Sequence, residues 1–193
     1  MPPASLNPNF KIQLNHQKQT MKSLILFLSI VVCFLSSCSE HTVDEYAPQA
    51  ILPSGIMSPK KWEPPISVKA ARQKAIPGKI LTVKGFIGGR KKPFTRGKAV
   101  FILGDDALKT CDEIPGDSCP TPWDVCCEDR KKVATSTLSV QILDKNGSLL
   151  SGTLNGVAGI EAGKRVKVRG TVSESSTSES LALEVSALEI LND

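Results

Sequence analysis

The residues best suited to chemistry are four cysteines in the segment "CDEIPGDSCPTPWDVCC", which runs from Cys111 to Cys127. The chain has six cysteines, so most of them lie within these seventeen residues. Cysteines at such density form disulfides, hold a soft metal ion or carry out thiol–disulfide exchange. Each of these chemistries requires a particular spacing and a particular redox compartment, and both can be judged from the sequence.

The spacing of the four cysteines does not match the common motifs for metal or redox chemistry. Seven residues separate the first pair, six separate the second pair, and the last two cysteines are adjacent. Structural zinc sites usually contain C-x₂₋₄-C pairs, and redox sites often contain C-x-x-C. We therefore predict two disulfides of open pairing and no cofactor, with zinc held by the same thiolates as the alternative. The residues concerned are Cys111, Cys119, Cys126 and Cys127.

A second group of residues can bind anions. The stretch from Lys69 to Lys98 contains ten basic residues and no acidic one, and five of them flank Phe94 in a single predicted loop. The candidate anion-binding residues are Arg90, Lys91, Lys92, Arg96, Lys98, Arg165, Lys167 and Arg169. A solvated surface that rests on anionic lipid headgroups would explain the same charges. The net charge of only +5 and the few aromatic residues argue against nucleic acid as the ligand.

Sequence features of an enzyme are missing. Both histidines, His16 and His41, lie in the first quarter of the chain. The sequence has no G-x-S-x-G elbow, no phosphate-binding loop and no G-x-G-x-x-G motif. Adjacent carboxylates such as Asp105-Asp106 usually face water in a loop. We therefore predict a protein without catalytic residues.

The N-terminal region is typical of a targeting signal. Lys22 precedes an apolar run of twelve residues, Ser23–Phe34, which is too short to cross a bilayer comfortably. The following "LSSC" resembles the bacterial lipobox, a resemblance that implies a signal peptide over residues 21–37 and lipid attachment at Cys38. A cleaved signal with a chance cysteine and a membrane span are the alternatives. Several acyl chains on one residue would anchor the protein durably in a membrane.

The position of this targeting signal indicates how the flanking segments are organised and where the protein is located. Residues 1–20 are interpreted as a gene-model extension, with an unusually long n-region as the alternative, and residues 38–65 as a Pro-rich tether. If the cell has two membranes, Ser39 after the acylated cysteine permits sorting to the outer membrane. The expected location is therefore the extracytoplasmic side of the cell envelope, where oxidising conditions favour disulfides.

Residues 66–193 are predicted to form one β-rich domain. A short helix over residues 67–75 ends at Pro77-Gly78, and the chain then alternates between apolar and polar residues. The five expected strands start near Leu81, Ala99, Thr137, Arg165 and Leu181. The fifth strand loses its alternation near Ser186-Ala187, which indicates a bulge. The Cys-rich segment falls in the long loop between the second and third of these strands.

Two strands share one pattern, because "GKILTVKGFI" from Gly78 matches "GKRVKVRGTV" from Gly163. A mid-strand glycine in each lets a small barrel bend sharply. Five such strands resemble the OB-fold, a small Greek-key barrel, over about residues 78–192. The segment "CPTPWDVCC" is also similar to one in a group of bacterial cell-envelope lipoproteins that carry such a domain. Neither resemblance implies a catalytic residue.

These observations predict a lipid-anchored, extracytoplasmic OB-fold module that binds or assembles without catalysing a reaction. Its partners would be the membrane, through Cys38, and another envelope protein or an anionic ligand. One alternative is a protein that binds anionic oligosaccharides or oligonucleotides through the basic loop 90–98. The other alternative is a metal or redox protein centred on Cys111–Cys127.

Overall fold

The structure is a computed structural model that describes residues 47–57 and 62–192. The predicted extension, the signal peptide and Cys38 lie outside these residues. The strands of the described part are β1 (Ile66–Ser67), β2 (Ile80–Ile87), β3 (Val100–Gly104), β4 (Thr137–Gln141), β5 (Arg165–Val172) and β6 (Ala182–Ile190). Its α-helices are α1 (Val68–Lys74) and α2 (Arg130–Thr135), and a 3₁₀ turn spans Cys111–Glu113. No helix in this part of the chain is long and apolar enough to cross a bilayer.

The strands form a closed barrel. Their order is β1-β2-β3-β4-β6-β5, and pairing of β2 with β5 closes the five long strands into a ring. β4 and β6 run parallel, whereas β2–β3, β3–β4, β5–β6 and β2–β5 are antiparallel. The prediction of an all-β, five-stranded, OB-like barrel is confirmed. The short N-terminal helix and the Cys-rich loop, here between β3 and β4, are also found where the sequence placed them.

Alternation of inward and outward side chains, clearest on β5, fills the barrel interior. On β5, Val166, Val168 and Val172 are fully buried, while Arg165 and Lys167 face outward. Burying one such valine contributes about 1.5–3 kcal/mol. This period-two pattern fixes which face of the strand points inward, because a register shift by one residue would bury the charges.

The two strands with the shared glycine pattern are hydrogen-bonded neighbours, β2 and β5. A Cβ at Gly85 would lie 2.2 Å from the carbonyl oxygen of Gly104, and one at Gly170 would lie 2.7 Å from that of Glu184. Each glycine therefore stands where the backbone of the next strand comes too close for any side chain. The interpretation that glycine is needed at these bends is supported by this geometry.

The slip in alternation on β6 is a β-bulge. Arg169 pairs with Ala187 and Gly170 with Val185, so Ser186 is the extra residue. Its hydroxyl donates to the carbonyl of Arg169 over 3.2 Å. The predicted bulge near Ser186-Ala187 is confirmed.

The described part of the predicted tether packs on the barrel. Ala50 and Ile56 are buried in the core, and the amide of Leu188 donates to Ile56 over 2.7 Å. Trp62 lies under the Nζ of Lys167, which is 4.7 Å from the ring centroid. A few apolar anchors in this proline-rich segment therefore hold it against the barrel, and the boundary at residue 66 stays a prediction.

Asp105 fastens α1 to the end of β3. Its carboxylate, only 3% exposed, accepts hydrogen bonds from the backbone amides of Lys69 (2.7 Å) and Ala107 (3.0 Å). The expectation that the Asp105-Asp106 pair faces water is wrong for Asp105. Its neighbour Asp106 is exposed and accepts from the guanidinium of Arg165 over 2.9 Å.

We expect Asp105→Ala to lower the free energy of unfolding by about 2 kcal/mol, because two partly buried amides lose their acceptor. Asp106→Ala is the matched control. It should lower the free energy of unfolding by less than about 1 kcal/mol, because exposed ion pairs contribute no more than that. Urea unfolding of both variants measures the difference. Equal losses would contradict this role for Asp105.

Candidate functional site

A small apolar cluster attaches the Cys-rich loop to the barrel. Phe86 projects from the outer face of β2 and is buried with Leu108 and Val125, and Val133 packs against them. Three residues of the loop region therefore combine with Phe86 of the barrel to form a separate small core.

Backbone hydrogen bonds fix the course of this loop. The amide of Cys111 donates to Asp124 over 2.9 Å, which joins the two ends of the Cys-rich segment. The amide of Gly89 donates to the carbonyl of Trp123 over 3.0 Å, and the Trp123 indole nitrogen donates to the carbonyl of Lys91 over 3.2 Å. The Cys-rich loop is therefore attached to the basic loop.

Three of the four sulfur atoms form a compact group, and the fourth lies beside one of them. The Sγ of Cys111 lies 3.5 Å from that of Cys126, which lies 3.8 Å from that of Cys127. The sulfurs of Cys111, Cys119 and Cys126 all lie within 4.8 Å of one another. The four side chains are thiols in the structure. The disulfide prediction therefore stays a prediction, and the structure adds that these cysteines occupy a single cluster.

The thiols differ in acidity because their surroundings differ. Burial, followed by the hydrogen bonds of Cys126 and Cys119, raises the pKa of Cys111 to about 12. Hydrogen bonds from the side chain and backbone of Thr121 lower the pKa of Cys119. Its Sγ lies 3.3 Å from the Thr121 hydroxyl. Contact with Cys126 raises the pKa of Cys127. A positive charge at the centre of the cluster would favour the thiolate forms.

A groove of about 720 Å³ lies beside this cluster. The side chains of Lys91, Lys92 and Arg96 line it, together with the rings of Phe94 and Trp123. Its size is that of a small-molecule site. The tryptophan lies three residues before Cys126, so the conformation of the Cys-rich loop determines one wall of the groove.

Polar groups complete the groove. Gln49, Thr153 and Asn155 supply amide and hydroxyl groups, and Glu161 is the one acidic residue of the lining in the part of the chain that the structure describes. These four residues were not predicted from the sequence, because they come from the predicted tether and from an irregular loop. Nothing in their local sequence indicates a site.

The eight candidate anion-binding residues lie in different surroundings. Three of them line the groove, whereas Arg90 and Lys98 do not. Those on β5 make ion pairs with acidic residues. These pairs are Arg165–Asp106 (2.9 Å), Lys167–Glu189 (2.6 Å) and Arg169–Glu63 (3.3 Å). Neighbouring carboxylates therefore offset part of the charge on β5, and an anion-binding role for these three residues stays a prediction.

The loop that joins the last two strands lies at another site. In many OB-folds this loop, here residues 173–180, and the loop between the first two barrel strands border one binding face. Ser176, Thr177 and Ser178 instead line a separate cavity of about 620 Å³ with residues of α1. There Arg72 donates to the carbonyls of Ser178 and Glu179. The two loops therefore do not frame one binding face.

Comparison of the chain with protein-family models, with curated proteins and with solved structures finds no match. The chemistry of their own residues therefore indicates what the groove and the cysteine cluster do.

Proposed function

We propose that the protein is a lipid-anchored, extracytoplasmic binding module without catalytic activity, and that its groove takes an anionic oligosaccharide. The observation that carries the proposal is the groove lining, where three cationic side chains meet two aromatic rings. Cations recognise carboxylate or sulfate groups, and an aromatic ring packs against the apolar face of a sugar.

The polar lining favours a sugar over a nucleic acid. Gln49, Thr153 and Asn155 offer donors and acceptors that match vicinal hydroxyl groups. Binding of single strands without sequence preference relies on stacking several successive bases. Phe94 and Trp123 offer two rings, and the third nearby aromatic, Phe86, is buried beneath the Cys-rich loop.

The carboxylate content of the groove supports binding rather than hydrolysis. Glycoside hydrolases generally need two carboxyl groups on either side of the scissile bond. Within the described residues, Glu161 has no acidic partner in the groove lining. The proposed module therefore retains its ligand unchanged.

We expect the triple variant Lys91→Ser, Lys92→Ser, Arg96→Ser to weaken binding to a heparin fragment at least about tenfold and to reduce its salt dependence. Arg130→Ser, Lys131→Ser, Lys145→Ser is the matched control, because it removes the same charge from exposed positions outside the groove lining. Titration calorimetry at two salt concentrations measures both variants.

Trp123→Phe and Trp123→Ala separate the aromatic contribution from the charge. The phenylalanine variant should retain most of the affinity, whereas the alanine variant should lose it. Equal binding by the triple variant and its control would contradict the proposal. Tighter binding of single-stranded DNA than of any oligosaccharide would reassign the groove to nucleic acid.

A further inference from the structure

The cysteine cluster has the dimensions of a metal centre. Sulfurs bound to one tetrahedral zinc at about 2.3 Å lie about 3.8 Å from one another. The structure has Sγ–Sγ separations of 3.5 Å for Cys111–Cys126 and 3.8 Å for Cys126–Cys127. Cys119 completes a triangle with Cys111 and Cys126 whose sides do not exceed 4.8 Å. Small rotations of Cys111, Cys119 and Cys126 would bring their sulfurs to the spacing of metal ligands. The Cys127 sulfur lies outside this triangle, beside that of Cys126, and would have to turn toward it.

The positions of the sulfurs also bear on the disulfide alternative. Two independent disulfides require four sulfurs divided into two separate pairs. Here the Cys126 sulfur lies close to the sulfurs of both Cys111 and Cys127. The Cys119 sulfur lies within 4.8 Å of those of Cys111 and Cys126. One shared centre accounts for this arrangement more directly than two bonds do.

The surroundings hold this arrangement in place. Cys111 is 1% exposed and begins the 3₁₀ turn, and its amide is bonded to Asp124. The hydroxyl of Thr121 lies 3.3 Å from the Cys119 sulfur, where it can donate to a thiolate. Hydrogen bonds of this kind orient metal ligands and neutralise part of their charge. The cluster is therefore supported from the barrel side and open at the exposed Cys126 and Cys127.

We propose that Cys111, Cys119, Cys126 and Cys127 bind one zinc ion as four thiolates, a structural site separate from the ligand groove. Zinc binding replaces four S–H bonds with four Zn–S bonds, releases four protons to solvent and transfers no electrons. Burial of Cys111 excludes water from one side of the ion. A closed set of four protein ligands is typical of structural rather than catalytic zinc.

The site has a direct consequence for the loop that carries it. Zinc would fix residues 111–127, and Trp123 in that segment forms part of the groove wall. Metal binding and ligand binding should therefore strengthen each other, because each favours the same loop conformation. The zinc site itself does not depend on the proposed ligand.

The test measures the metal directly on the full-length chain. Protein purified without added metal is analysed for zinc and for free thiols under denaturing conditions, and the metal-depleted protein is then titrated with Zn²⁺ alone. We expect one zinc per chain. Co²⁺ in its place should give the intense visible bands of tetrahedral thiolate coordination.

Single substitutions identify the ligands. Each ligand substitution should weaken Zn²⁺ binding by at least about 100-fold, because changing residues that only hydrogen-bond to metal ligands already weakens binding by up to that factor. The substitutions are Cys111→Ser, Cys119→Ser, Cys126→Ser and Cys127→Ser. Ser118→Ala, in the same loop, is the control and should bind normally. Circular dichroism confirms that each variant retains the barrel, so a loss of zinc is not a loss of fold.

Two results would overturn the proposal. If the isolated protein has no metal and these four positions yield no free thiol, two disulfides are formed instead. If Cys127→Ser binds Zn²⁺ as tightly as the wild type, the four-thiolate assignment fails. Neither result by itself contradicts the proposed oligosaccharide binding, which is measured separately.

Discussion

Gly85→Ala is expected to destabilise the domain by about 4 kcal/mol, at the upper end of what single substitutions do. The new Cβ would lie 2.2 Å from the carbonyl oxygen of Gly104, a backbone atom on the paired strand. No rotamer change can relieve such a contact, so β2 and β3 must move apart at this point. Loss of local strand pairing adds to the steric cost.

The matched control is Gly147→Ala, in the turn after β4. Gly147 has a φ of 78°, and a Cβ added there would have no other atom within 4 Å, so alanine meets only backbone strain of about 1–2 kcal/mol. Thermal and urea unfolding of both variants give the comparison. A Gly85→Ala protein no less stable than Gly147→Ala would refute the close-approach argument.

Phe86→Ala is expected to release the Cys-rich loop and to cost about 3–4 kcal/mol, the usual range for a buried phenylalanine. The ring is the barrel's contribution to the cluster with Leu108 and Val125. Gly88 and Gly104 leave space for it, since a Cβ on either would lie within 2.7 Å of the ring. Without the ring, the loop loses its apolar attachment while the barrel interior stays intact.

Limited trypsin digestion measures this release, because Arg130, Lys131 and Lys132 are exposed cleavage sites on α2. Cleavage there should be faster in Phe86→Ala. Phe94→Ala, which removes a ring of the same size from the groove and the core edge, is the control and should leave cleavage at α2 unchanged. Equal cleavage of both variants would contradict the anchoring role of Phe86.

The same variant links the two proposed sites. Because Phe86 holds the loop that carries Trp123 and the cysteines, its removal should weaken both Zn²⁺ binding and oligosaccharide binding. Phe94→Ala should weaken oligosaccharide binding alone. The pattern of losses therefore tells loop attachment apart from direct ligand contact.

The sequence by itself determined the barrel. Period-two alternation is a local property that shows which face of a strand is buried, and on β5 it assigned every residue from Val166 to Val172 correctly. Glycines interrupt that pattern where backbones approach closely, as at Gly85 and Gly170. The bulge at Ser186 was visible for the same reason, because an extra residue shifts the alternation.

Only the tertiary structure decided where the chemistry-bearing residues meet. Cysteine spacing argued against a metal site, yet the fold brings Cys111, Cys119 and Cys126 within 4.8 Å of one another, because the amide of Cys111 pairs with Asp124 across the loop. A spacing rule describes short zinc-binding turns and does not cover ligands that a longer loop brings together.

The basic residues show the same limit of prediction from sequence. A run of charge in sequence cannot distinguish side chains that line a groove, such as Lys91, from those that pair with acids, such as Lys167 with Glu189. Gln49 reaches the groove from a proline-rich segment whose few apolar anchors gave no periodic signal. Strand patterns arise from neighbours along the chain, whereas sites are assembled by contacts between distant segments, which local patterns do not encode.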